Sequence, residues 1–176
     1  MKISKRTLLY SLLYLAALLA CDSFSKFWTF ENIAKMSWLY PSYPYGGIAV
    51  FKNFLGISFS LNYVQNTGSA WGLFSDYQIP LFIARSLLVG ALIIYQLFFL
   101  KKQYHAFALT MVISGAIGNL VDVVLYGHVI DMFHFNLWGY HYPVFNIADM
   151  SICIGVVWLI IYSIRDSIRD RRTNAH

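Results

Sequence analysis

Four long apolar runs decide what this chain can fold into. A helix needs about 20 mostly apolar residues to cross a bilayer's hydrocarbon core. Such runs extend over residues 8–30, 79–100, 106–126 and 144–164. Inside hydrocarbon the backbone has to satisfy its own hydrogen bonds, so each run is expected to be a helix. Only 12% of the 176 residues are charged and 59% are hydrophobic, whereas a soluble domain carries about a quarter charged. One integral-membrane domain over residues 1–176 is therefore expected.

The basic residues orient it. Lys2, Lys5 and Arg6 precede the first run, Lys101 and Lys102 separate the second from the third, and Arg165, Arg169, Arg171 and Arg172 follow the fourth. With four spans, these nine of the thirteen Lys and Arg share one side, which their usual bias makes cytoplasmic. Both termini are expected inside. The net charge of +5 fits this bias and an attraction to anionic membrane lipids. A nucleic-acid partner is not expected, because the basic residues flank spans and form no stripe with stacking aromatics.

Two segments then lie outside. In the first, residues 31–78, the stretch Ile57-Ser58-Phe59-Ser60-Leu61-Asn62-Tyr63 alternates apolar with polar. That pattern predicts strands with one face buried, closed by a turn at Asn66-Thr67-Gly68. Ser37 to Gly47, rich in Tyr, Pro and Gly, reads as loop. The fold expected is membrane all-α with a small β addition: four transmembrane helices, N-in and C-in, with a small extracytoplasmic sheet between helices 1 and 2. The second outer segment, 127–143, is short and aromatic, and its apolar residues around Asp131 suggest that it dips back toward the membrane. Cys21 and Cys153 fall in apolar runs and are expected to be buried free thiols.

Ionisable groups at membrane depth cost a few kcal/mol each and are functional by default. Under this topology Asp22, Lys26, Asn119, Asp122, Asn146 and Asp149 all fall near the outer ends of spans, with Asn66 and Asp131 in the adjoining segments. Polar groups scattered at random would have been split between leaflets. Asn119 and Asp122, three apart, share a helix face, beside Ser114, Gly115 and Gly118, which allow close helix approach. They read either as helix–helix glue or as site residues. Asn146 and Asp149 have the same spacing and read as an N-cap with its first-turn acid, as a functional pair, or as both. Asp131 is either a loop aspartate in water or a site residue. Asp22 and Lys26, four apart, are expected to pair with each other, and Arg85 to reach toward the interface or an anionic lipid head. His128, Asp131 and His134 at three-residue intervals, with His141 following, leave a zinc site as a rival.

Five stretches together resemble the bacterial lipoprotein signal peptidases (signal peptidase II). Asp22-Ser23-Phe24-Ser25-Lys26 is similar to the family's Asp-x-x-Ser-Lys, and Asn66-Thr67-Gly68-Ser69-Ala70-Trp71 to Asn-x-Gly-Ala-Ala-Phe. Gly115 to Asp122 follows Gly-Ala-x-Gly-Asn-x-x-Asp, Gly127 to Asp131 follows Gly-x-Val-Val-Asp, and Phe145 to Asp149 follows Phe-Asn-x-Ala-Asp. Each alone is weak; all five in order at the right span ends are specific.

The resemblance implies an aspartic endopeptidase with Asp131 and Asp149 as the catalytic dyad, and with Asn66, Gly68, Asn119, Asp122, Asn146, Asp22 and Lys26 supporting the site or the substrate. It implies a prolipoprotein substrate with a diacylglyceryl group on its lipobox cysteine, cleaved on the N-terminal side of that cysteine. It also implies a bacterial inner-membrane location with the site at the outer face. No metal or cofactor is expected, and membrane lipids and a monomeric state are. Where the family usually has arginine after the position of Asp122, this chain has Val123, so Asp122 is expected to lack a partner charge. The sheet is expected to cradle the substrate and residues 127–143 to form a lid. Two other readings are a non-catalytic lipid or substrate binder and a zinc enzyme using His128, Asp131 and His134. Leu18-Leu19-Ala20-Cys21 itself resembles a lipobox, but Leu19 is bulky where a small residue is usual and three spans follow it.

Overall fold

The computed structural model describes residues 4–68, 77–100 and 102–173. Among these residues, α1 (Lys5–Asn32), α2 (Gln78–Phe98), α3 (Gln103–Tyr126) and α4 (Ile147–Thr173) are each long and apolar enough to cross a membrane. α4 departs most from its apolar run. It starts at Ile147 rather than 144 because Phe145 is held by the sheet: its N–H donates to the Phe133 carbonyl and its carbonyl accepts from the Phe133 N–H. It then continues past residue 164 through the basic residues to Thr173.

α1 buries its polar face. The buried residues of α1 are Thr7, Ser11, Asp22, Lys26 and Thr29, while Leu9, Leu12, Leu13, Phe24 and Phe27 point outwards. This reverses the amphipathicity of a helix in water, as expected where the surroundings are as apolar as the side chains. Cys21 and Cys153 are also free but exposed. The expectation of buried thiols fails because both lie on outward helix faces.

α3 packs against α1, α2 and α4, and its small residues set how closely. A Cβ on Gly115 would collide with the Ala148 carbonyl of α4, and one on Gly118 with the Asp22 carboxylate of α1. The two glycines thus let the start of α4 and a charged group of α1 reach one level of α3.

The sheet is larger than the sequence suggested. β1 (Ile48–Phe54), β2 (Ile57–Asn66), β3 (Val129–Leu137) and β4 (Tyr140–His141) form one antiparallel sheet in the order β1-β2-β3-β4. Residues 127–143 therefore contribute the strand pair β3–β4 to that sheet, where a segment dipping toward the membrane and a lid were expected. The unpaired edge of β2 gives the β3 backbone the partners it needs.

The faces of the sheet are also reversed. Ser60, Asn62 and His134 on the polar face are fully buried beneath the loop that carries Trp38, Tyr43 and Tyr45. Asn62 Nδ2 donates to the Pro44 carbonyl at 2.6 Å, and the three rings surround His134. The aromatic face instead stays partly open, with Phe59 stacked on Phe135 at 4.5 Å between ring centres and Phe135 stacked on Phe145.

Pairing slips once along β2. Leu61 opposes Phe133, and the next pair is Val64 with Asp131, so β2 advances three residues while β3 advances two. This bulge turns the alternation over. Without it Asn66 would face away from Asp131; with it, Asn66 lies diagonally across the ladder on the same face.

Candidate active site

Two carboxylates from different elements are held by two adjoining amides. Asp131 lies in β3 and is 2% exposed. Asp149 lies in the first turn of α4. Asn146 precedes that turn and forms a capping box with Asp149: its Oδ1 accepts from the Asp149 N–H at 2.9 Å, and its own N–H donates to Asp149 Oδ2 at 3.3 Å. The Nδ2 of Asn146 donates to Asp131 Oδ1 at 2.7 Å and approaches the Ile130 carbonyl at 3.2 Å and Asn119 Oδ1 at 3.3 Å. Asn119 Nδ2 in turn donates to Asp149 Oδ1 at 2.9 Å. The N-cap reading of Asn146 is thus met, and the same side chain also reaches Asp131.

The second oxygen of Asp131 accepts from Asn66 Nδ2 at 3.0 Å. Asn66 is itself fixed, because its Oδ1 accepts from the Gly68 N–H at 3.0 Å, and the Gly68 carbonyl accepts from Arg85 Nη2 at 3.1 Å. Arg85 therefore turns inward to the Asn66–Gly68 turn and is not simply a lipid-facing cation. Ser69, Ala70 and Trp71 of that motif lie outside the described residues.

Burial pushes the Asp131 carboxyl up to about 7, helped by the charge of Asp149, and the two amide donors only partly offset this. A carboxyl desolvated beside another carboxylate resists becoming the second negative charge in the site. The arrangement can hold one proton between two acids near neutral pH.

Beneath the pair sits Lys26, fully buried. Its ammonium lies 2.7 Å from Asp22 Oδ2 and 2.8 Å from Asp122 Oδ2, and it donates to Asn119 Oδ1 at 3.0 Å. All three of its donors are used. The expected Asp22–Lys26 pair is present, and the expectation that Asp122 lacks a partner charge is corrected: α1 supplies the cation that Val123 does not. The carboxylates also reach the backbone. Asp22 Oδ1 accepts from the Ala148 N–H at 2.8 Å, at the N-terminus of α4. Asp122 Oδ2 accepts from the Ile130 N–H at 3.1 Å, next to Asp131. Asp22 therefore sets the start of α4, and Asp122 sets the strand that carries Asp131. Sequence spacing carried no signal for these two backbone contacts.

The histidines do not assemble with Asp131. Residues three apart on a strand point to opposite faces, so His134 turns away from Asp131. His134 Nε2 meets His141 Nδ1 at 3.1 Å within the aromatic nest, and His128 Nε2 bonds the Tyr63 hydroxyl at 2.9 Å. Burial, then the neighbouring His141, lower His134 to about 4. Among the described residues no group of three or more His, Cys, Asp or Glu is placed to hold a metal ion.

The family model described as signal peptidase (SPase) II matches residues 14–165. A lipoprotein signal peptidase of Clostridium acetobutylicum is 34% identical over 162 residues, which cover 90% of this chain and 97% of that one. One of Cupriavidus pinatubonensis is 40% identical over 111 residues, covering 61% of this chain and 63% of that one. A solved bacterial membrane enzyme superposes with a TM-score of 0.76 at 27% identity, covering 90% of this chain and 89% of its own.

Proposed function

The chain belongs to the signal peptidase II family, and we propose that Asp131 and Asp149 are the catalytic pair of its aspartic endopeptidase activity. The family is one of multi-pass bacterial membrane proteases that remove signal peptides from prolipoproteins, and four spans of sufficient length are present here. The observation that carries the proposal is the double amide clamp: Asn146 Nδ2 donates to Asp131, Asn119 Nδ2 donates to Asp149 and the two amides meet each other, while burial raises Asp131 to about 7.

In this reading the two acids share one proton. Asp131, buried and proton-holding, donates toward the scissile carbonyl oxygen. Asp149, at the helix N-terminus where an anion is favoured, takes a proton from the attacking water. As the C–N bond breaks, Asp149 passes the water's proton to the leaving nitrogen and a hydroxyl of the tetrahedral intermediate returns its proton to Asp131, so neither metal nor covalent enzyme intermediate is needed.

Cleavage falls on the N-terminal side of a diacylglyceryl-modified cysteine. The aromatic face of the sheet continues from Asp131 through Phe133 and Phe135, the alternate residues of one strand face, and would cradle the substrate chain above the site. The lipidated cysteine keeps its acyl chains in the bilayer. Both termini face the cytoplasm and the pair lies toward the outer leaflet of the inner membrane.

The test is cleavage of a diacylated prolipoprotein by purified Asp131→Asn and Asp149→Asn. Each variant should fold and lose about a hundred-fold or more in rate, the scale of a general acid or base. A wild-type rate in either refutes the assignment and leaves a binding role. Loss of wild-type activity on adding a zinc chelator would instead favour the metal enzyme.

A further inference from the structure

At the helix ends far from the aspartates, a groove of about 510 Å³ opens between α1, α3 and α4, lined by Tyr14, Tyr104, Phe107, Met111, Trp158 and Tyr162 among others. We propose that it seats an acyl chain of an anionic glycerophospholipid from the leaflet opposite the proposed active site, with the lipid phosphate on Arg165.

The dimensions suit one leaflet. From Tyr104 to Met111 along α3 is about 10 Å, and from Ile154 to Tyr162 along α4 about 12 Å, at 1.5 Å per residue. Half of the hydrocarbon core is about 15 Å. The groove is therefore somewhat shallower than a single acyl layer and fits within one leaflet.

The charge at its mouth selects the headgroup. The Arg165 guanidinium lies 4.6 Å from the ring centre of Tyr104 and 5.2 Å from that of Tyr162, both of which line the groove. Stacking holds the planar fork in place and leaves its N–H edge to meet a phosphate. The nearest carboxylate in sequence, Asp166, is already taken: Lys102 Nζ lies 2.8 Å away, and the Tyr104 hydroxyl donates to it at 2.7 Å. On α1, Arg6 donates to the Tyr10 hydroxyl, and Arg6, Tyr10 and Tyr14 follow one helical line at four-residue spacing toward the groove. Cations thus stand at the same end of the bundle on α1, at the N-cap of α3 and on α4. The site is separate from the aspartates and independent of their role.

Trp158 lines the groove and reports on it. The full chain is reconstituted in vesicles of phosphatidylcholine that contain equal mole fractions of either dibrominated phosphatidylglycerol or dibrominated phosphatidylcholine. The Trp158 signal is taken as the difference from Trp158→Phe. Quenching by the anionic lipid should indicate about a five-fold preference, the scale of one well-placed basic residue. Arg165→Gln should reduce the preference to about one, and Ile154→Phe, which narrows the groove from its exposed side, should lower quenching by the anionic lipid specifically. Both variants should retain prolipoprotein cleavage, which reports correct folding. Equal quenching of the wild type by both lipids overturns the proposal, as does a preference that survives Arg165→Gln. Weak quenching by either lipid together with self-association would mean that a second copy covers the groove, and would also overturn it.

Discussion

Replacing Lys26 by Met tests how the site is held together. Methionine has nearly the length of lysine, so packing changes little while the charge disappears. The structure gives the cost. The ammonium contacts Asp22 at 2.7 Å, Asp122 at 2.8 Å and Asn119 at 3.0 Å, and both acids are almost fully buried, at 2% and 3% exposure. Removing one member of a buried ion pair costs about 3–5 kcal/mol, because the remaining charge stays out of water without compensation. Lys26→Met leaves two such charges and belongs at the upper end of that range. Asp22→Asn and Asp122→Asn each leave Lys26 one carboxylate, and each should cost less, about 1–3 kcal/mol. Once Lys26 is gone, removing Asp122 should hurt less than it does alone. The double variant should therefore fall short of additivity by at least about 1 kcal/mol. Unfolding in mild detergent by titration with sodium dodecyl sulfate, followed by helicity, measures all four. Additive losses, or a Lys26→Met variant within about 1 kcal/mol of wild type, would refute the idea that one cation neutralises both acids.

Two further outcomes follow from the site and the sheet. Asn146→Ala removes the α4 cap, worth about 1 kcal/mol, and also the donor to Asp131 Oδ1, so kcat should fall far more than a shift of a few degrees in Tm would explain; parallel losses would reduce Asn146 to a cap. His134 is held at about 4 by burial and by His141, below its ordinary 6.5. The unfolded chain therefore takes up this proton first. Stability contributed here is complete above pH 6.5 and is lost, by up to about 3 kcal/mol, as pH falls toward 4; His134→Gln should flatten that limb in melts at pH 4 to 7.

What the sequence disclosed and what it hid have separate physical causes. Hydropathy located the helices because each is a continuous local signal. The i, i+3 pairs Asn119/Asp122 and Asn146/Asp149 were readable because helical spacing alone places both members on one face. β3 was obscured because both of its faces are covered near Asp131: Val129, Ile130, Asp131 and Met132 are all buried, so no apolar/polar alternation marks the strand. The amide that Asp131 meets in the neighbouring strand, Asn66, lies 65 residues earlier, and the bulge in β2 that turns Asn66 toward Asp131 has no sequence signature. Asp122 has no counter-ion within its own motif, where the adjacent residue is Val123. The cation comes from another helix, 96 residues away in number and 2.8 Å in space. Backbone partners such as the Ala148 and Ile130 N–H groups belong to no residue type and leave no trace in a pattern of side chains.

Catalysis by this pair requires a proton shared by Asp131 and Asp149, and the pH dependence of kcat/KM for a diacylated prolipoprotein reads that proton in the free enzyme. With Asp131 raised to about 7 by burial and by the charge of Asp149, the singly protonated pair is lost as pH rises through that value. The rate should then decline about ten-fold per unit of pH above it. A rate constant that stays level from pH 6 to pH 9 would contradict the shared proton and with it the catalytic pair.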